Sequence, residues 1–183
     1  MAQQLWFLRH GEAEPHDARP DEQRRLTERG EEQSRAAGRA MAVDELTFQL
    51  VVTSPRVRAL DTAKLACEEL RLGEPVVEQS LSSGFDVGDA RELLHAAGPD
   101  KRLLIVGHNP DFEQVVHDLT GAHVDIKKGG IVAVRMDGTK RGTLVVLMRP
   151  REIARIAPRP QSSFAVARAA ISSGSKTPLK GGA

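Results

Sequence analysis

Three short, uninterrupted apolar runs each break off into chemically active residues, and that pattern narrows the possible folds sharply. Leu5-Trp6-Phe7-Leu8 leads into Arg9-His10-Gly11. Leu50-Val51-Val52 leads into Thr53-Ser54-Pro55-Arg56-Val57-Arg58, and Leu103-Leu104-Ile105-Val106 into Gly107-His108-Asn109-Pro110. Apolar runs of this length, bounded by turn residues, read as strands buried on both faces, which calls for a parallel sheet covered by helices. In such sheets ligands bind beyond the carboxyl ends of the strands. Three strands therefore carry two arginine clusters and two histidines to one sheet edge, a set suited to holding a phosphate beside a nucleophile.

The intervening segments carry helix signals. Thr27 before Glu28-Arg29-Gly30-Glu31 reads as an N-cap with acids in the first turn. The helix is predicted to run to about Ala42, with Ala36, Ala37 and Ala40 as a small-residue face against the sheet. Pro55 is placed in the first turn of a second helix, where Val57, Leu60, Ala63, Cys67 and Leu70 share a face. Cys67 on that face reads as a core thiol. A short strand at Pro75–Val77 and a helix from Asp89 to Ala97, stopped by Gly98-Pro99, follow. Pro110 opens a helix over Asp111–Leu119. Ile131–Met136 and Thr143–Met148 form an edge hairpin around Asp137-Gly138-Thr139.

This alternation predicts an α/β three-layer sandwich with a mainly parallel central sheet flanked by helices, over residues 1–157. The pattern fades after Pro150-Arg151-Glu152, and proline- and serine-rich composition predicts a basic, disordered tail over 158–183.

Bulk properties exclude several classes. At 183 residues the chain suits one domain. No stretch approaches the roughly 20 apolar residues that span a bilayer, and no secretory signal pattern opens the chain. The single cysteine rules out an internal disulfide and fits a reducing compartment, so a cytoplasmic setting is expected. Five of the 26 basic residues and none of the 25 acidic ones lie from Ile153 onward, which leaves the rest of the chain at a net −4. Beyond Phe164 the basic end has no interleaved aromatic residue, so nucleic acid is not an expected partner, and with no spanning stretch neither is a membrane.

The chemistry of the three clusters is specific. Phosphoryl transfer is mostly positioning plus stabilisation of charge on the non-bridging oxygens. Arginine donates two parallel hydrogen bonds to such oxygens, and neutral imidazole attacks phosphorus near pH 7. A glycine directly after the histidine lets backbone approach a phosphate closely.

Here the sequence resembles a known family. Leu8-Arg9-His10-Gly11-Glu12 resembles the signature of the histidine phosphatase (phosphoglycerate mutase-like) superfamily. Thr53 to Ala63, containing Arg58 before Ala59, is similar to its second block, and Val106 to Pro110 to its third. Arg24-Arg25-Leu26-Thr27-Glu28-Arg29-Gly30 is similar to the segment between them. The resemblance covers about residues 3–150, and four ordered blocks are far more specific than one Arg-His-Gly. It implies that His10 is phosphorylated as the nucleophile, that Arg9 and Arg58 clamp the phosphoryl oxygens, and that His108 donates to the developing charge. Gly11, Arg24 and Asn109 are the implied substrate-binding residues, Arg25 being an alternative to Arg24. Water then releases phosphate. No metal or other cofactor is implied, because arginines supply the positive charge.

One departure bears on substrate. Many members have a leucine-x-glutamate block whose glutamate protonates an alkoxide leaving group; here Leu81-Ser82-Ser83 puts a serine in its place. General acid catalysis is worth about 10²–10⁴-fold to such a leaving group and much less to imidazole. With the short chain, this resembles the SixA-type phosphohistidine phosphatases, which implies a phosphorylated protein as substrate. Glu12 and Asp86 are the remaining candidate acids.

The rival readings are a phosphatase of sugar or nucleotide phosphates, making the partner a small phosphorylated molecule, and a non-catalytic phosphate-binding module. His16, His95, His117 and His123 read as surface or loop residues, Arg56 as a solvated helix-face arginine, and Lys127-Lys128 as a solvated turn. A zinc site on His10 and His108 lacks a carboxylate or cysteine to complete it. Oligomeric state is not readable from the chain.

Overall fold

The three apolar runs become strands at the centre of a six-stranded sheet. The computed structural model describes residues 2–138 and 140–157. Its strands are β1 (Gln4–Arg9), β2 (Leu50–Thr53), β3 (Val76–Val77), β4 (Arg102–Gly107), β5 (Ile131–Asp137) and β6 (Arg141–Met148), in the order β3-β2-β4-β1-β5-β6. The pairs β2–β3, β2–β4 and β1–β4 are parallel. β5 runs antiparallel to β1 and β6 antiparallel to β5, so the expected hairpin closes one edge. β4 lies between β1 and β2, which brings the ends of all three motif-bearing strands side by side.

Among the described residues five α-helices cover the sheet: α1 (Glu28–Val43), α2 (Val57–Leu70), α3 (Val87–Ala97), α4 (Asp111–Thr120) and α5 (Pro150–Ile156). Successive strand residues point to opposite faces. Trp6, Leu8, Val51, Leu104 and Val106 pack with α1, α2 and α5, whereas Leu5, Phe7, Val52, Leu103 and Ile105 pack with α3 and α4. This is the three-layer α/β sandwich that the alternating pattern implies.

Local signals account for most helix ends. Thr27 caps α1, its Oγ1 accepting from the Gly30 N–H at 3.1 Å. Asp86 caps α3 in a capping box with Asp89.

α2 departs from expectation in two ways. Pro55 precedes the helix, because Arg56 is the extended N-cap. The buried face is Arg58, Ala59, Thr62, Ala63, Ala66 and Cys67, while Val57, Leu60 and Leu70 are only half-buried. The reason is that α2 packs against α1 as well as the sheet. A Cβ on Gly38 of α1 would sit 2.7 Å from the Ala66 carbonyl oxygen, so only small residues fit between the helices. Cys67 is a buried core thiol, pushed up to about 11 by burial. α5, where the sequence pattern fades, is one short helix anchored by buried Ile153. Seven residues are too few to display a periodicity. The predicted tail, 158–183, lies outside the described residues, as does Thr139 of the hairpin turn.

Candidate active site

At the carboxyl edge of β1, β2 and β4 an open cavity of about 510 Å³ is lined by Arg9, His10, Arg24, Arg58, His108 and Asn109, and also by His16, Asp21, Arg56 and Lys128. The other cavities among the described residues hold no comparable set of arginines and histidines. Among the described residues, the sequence-predicted residues meet in one place, with the exception of Gly11.

His10 follows β1 directly, and its ring is almost entirely buried. Its Nδ1 lies 2.7 Å from the Gly11 carbonyl oxygen, an acceptor only, so Nδ1 carries the proton and Nε2 the lone pair. Burial pushes the imidazole down to about 3 despite the Gly11 hydrogen bond, helped by the charges of Arg58, Arg9 and Lys128. It is therefore neutral at pH 7. The His108 ring lies 5.1 Å away, centroid to centroid, and burial, with His10 and Arg58 beside it, pushes that imidazole down to about 2. Its Nε2 is 2.9 Å from Ser54 Oγ.

Three guanidiniums converge on one carboxylate. Asp21 Oδ1 receives Arg24 Nη1 at 2.7 Å, and Oδ2 receives Arg56 Nη1 at 2.8 Å and Arg58 Nη2 at 3.0 Å. Partial burial raises the Asp21 carboxyl, but the hydrogen bonds from Arg24 and Arg58 and the charges of Arg58 and Arg56 outweigh it and hold the group at about 2. Mutual repulsion among buried arginines is costly, and this carboxylate offsets it. Arg9 is steered separately, Nη1 donating to the Ile126 carbonyl oxygen at 2.6 Å. Asn109 is held by Glu113 and Ile126, which leaves its buried Oδ1 without a partner among the described residues.

Gly11 needs correction. It does not line the cavity. Its N–H donates to Thr62 Oγ1 at 3.1 Å, and a Cβ there would strike the Gly30 carbonyl of α1. The glycine is required by helix packing, not by the approach of a phosphate. Arg56 and Lys128 also depart from the solvated roles expected of them: both line the cavity. Lys127 is the solvated member of its pair, ion-paired to Asp125 at 2.7 Å. Asp21 carries no sequence signal at all, because its role depends on the short turn Asp21–Gln23 seating against the start of α2, distant in the chain. Neither candidate acid reaches the cavity lining. Glu12 accepts from Thr27 Oγ1 and pairs with Arg29, while Asp86 is occupied as the α3 cap.

Residues 5–95 match the histidine phosphatase superfamily (branch 1). An uncharacterized protein of Picosynechococcus sp. is 36% identical over 140 residues, which cover 72% of this chain and 84% of the relative. The chain belongs to the histidine phosphatase superfamily. Among solved histidine phosphatases, the protein histidine phosphatase SixA complexed with tungstate aligns at TM-score 0.73 and 28% identity, over 81% of this chain and 97% of SixA. A mycobacterial glucosyl-3-phosphoglycerate phosphatase aligns at TM-score 0.64 over 81% of this chain and all of that one; at 18% identity this likeness shows the fold alone. Superfamily membership and the likeness to SixA together support a phosphatase enzyme. Among the described residues, no group of three or more His, Cys, Asp or Glu side chains could hold a metal ion, and no helix is long and apolar enough to cross a membrane.

Proposed function

We propose that this phosphatase removes phosphate from phosphohistidine on another protein, through a phosphorylated His10. Neutral His10 attacks phosphorus through Nε2, forming a new N–P bond as the bond to the substrate imidazole breaks. Arg9 and Arg58 hold the phosphoryl oxygens, His108 donates to them, and Arg24 and Asn109 complete the substrate contacts. The substrate imidazole leaves as a neutral ring, already protonated on its other nitrogen. Water then attacks phospho-His10, releasing phosphate and regenerating the neutral imidazole.

One observation carries the choice of substrate. The single carboxyl lining the cavity, Asp21, is tied to three arginines and held at about 2, so it has no proton to give at neutral pH. An alkoxide leaving group would depart without a general acid, whereas imidazole needs none. The single buried cysteine supports a cytoplasmic setting for this reaction.

The test compares turnover of a phosphohistidine peptide with that of sugar phosphates and phosphoserine. Preference for the peptide is expected; strong activity on the esters alone overturns the substrate assignment. His10→Ala should abolish turnover yet still bind inorganic phosphate, and unchanged turnover in that variant overturns the mechanism.

A further inference from the structure

Ser54 lies directly behind the site, is fully buried and is not itself part of the cavity lining, so the mechanism above gives it no task. Its Oγ accepts from the Arg56 backbone N–H at 3.3 Å and faces His108 Nε2 at 2.9 Å. We infer that Ser54 is a positioning residue that donates its hydroxyl proton to Nε2, thereby locking His108 as the Nδ1–H tautomer and making Nδ1–H the donor that meets the phosphoryl oxygen.

The argument is a hydrogen-bond count. A serine hydroxyl has one proton and two lone pairs, and a neutral imidazole has one donor and one acceptor. If Nε2 held the ring proton, Ser54 Oγ would accept from both Nε2 and Arg56, and its own proton would be buried with no acceptor. His108 Nδ1 would then be a bare lone pair turned on an anionic substrate. With the proton on Nδ1, the hydroxyl donates to Nε2 and accepts from Arg56, so both its roles are filled. Of the polar atoms of this Ser54–His108 pair, His108 Nδ1 alone is left without a partner among the described residues. Since Nε2 is occupied, Nδ1 is the only polar ring atom His108 can offer a ligand. A buried donor without a protein partner is costly and is retained where a ligand completes it. His10 shows the same device, its Nδ1–H fixed by the Gly11 carbonyl so that Nε2 is free. The two rings are thus set to opposite tasks, one presenting a lone pair and the other a proton.

The inference rests on the proposed reaction for its purpose, but its first test does not. In protein labelled with 15N-histidine, the nitrogen shifts of His108 should show a protonated Nδ1 and a bare Nε2 at pH 7, and added inorganic phosphate should move the Nδ1 resonance. Ser54→Ala should shift the tautomer population toward Nε2–H. It should also lower kcat on p-nitrophenyl phosphate about tenfold to a hundredfold with KM little changed, somewhat short of the 10²–10³-fold typical of deleting an oxyanion donor outright. Because Ser54 acts through His108, Ser54→Ala should cost nothing further in a His108→Ala background. A wild-type His108 protonated on Nε2 overturns the inference, as does an unchanged tautomer in a folded Ser54→Ala protein or full additivity of the two substitutions. If the protein proves inactive on every phosphorylated compound, the shifts still decide the tautomer, so the two readings fail separately.

Discussion

The buried faces of α1 and α2 are mostly alanine, glycine and small hydroxyls; those of α3 and α4 are mainly phenylalanine, leucine and valine. Each helix pair steadies one histidine loop. Gly11, next to His10, lies against the backbone of Gly30, with Thr62 holding its N–H and Gln33 Oε1 holding that of Glu12 at 2.8 Å. Gly107, next to His108, is seated on the ring of Phe112, whose own neighbours are Phe7 at 5.1 Å and Phe85 at 6.3 Å between ring centroids. Backbone against backbone leaves no give. A side-chain wedge can tilt. The His10 loop is therefore intolerant of added volume, and the His108 loop is sensitive to lost volume.

The sharpest way to break this comparison is Gly30→Ala. The added Cβ would overlap the Glu12 backbone, and relief requires moving the segment that carries His10. Loss of folded protein or of all turnover is expected, read by thermal melting and activity. A stable, active variant would show that the loop has slack after all. Phe112→Ala comes next: a cavity under Gly107 should cost about 3–5 kcal/mol. That corresponds to a fall in Tm of about 6–20 °C for a chain of this size. Turnover should drop with it while the fold survives.

Acid sharpens the comparison in another way, since both loops bury neutral imidazoles. An unfolded histidine takes up a proton near pH 6.5, whereas His10 and His108 resist until about 3 and about 2. The unfolded chain thus binds more protons below 6.5, so stability is complete above that pH and is lost as the pH falls toward 3. Tm measured from pH 7.5 to 4.5 should decline, and more gently in His108→Ala; equal slopes would mean that ring is not held neutral by burial. The smallest effect is expected from Lys128→Ala. This half-buried lysine at the cavity wall has no ion-pair partner among the described residues. Its removal should raise KM about two- to fivefold with kcat held, the scale of a partly solvated ion pair.

How much of this was legible beforehand follows from the range over which each signal acts. The apolar runs, the Thr27 cap and the glycine and proline stops are local, so strands, helices and layer order can be read from spacing alone. The motif order also brought His10, Arg9, Arg58 and His108 to one edge, because the carboxyl ends of neighbouring parallel strands share it. The α2 face could not be read this way, since which side of a helix is buried depends on whether its neighbour is a sheet or another helix.

The amino-acid sequence by itself determined the α/β layering and the chemistry delivered to the sheet edge, because strand burial and helix capping are decided by residues near one another in the chain. Only the tertiary structure decided that Asp21 gathers three arginines, that Lys128 rather than Lys127 faces the cavity, and that Gly11 serves helix packing. Those outcomes depend on side chains far apart in the chain competing for one small, poorly hydrated space, where charge pairing and backbone clearance outweigh local preference.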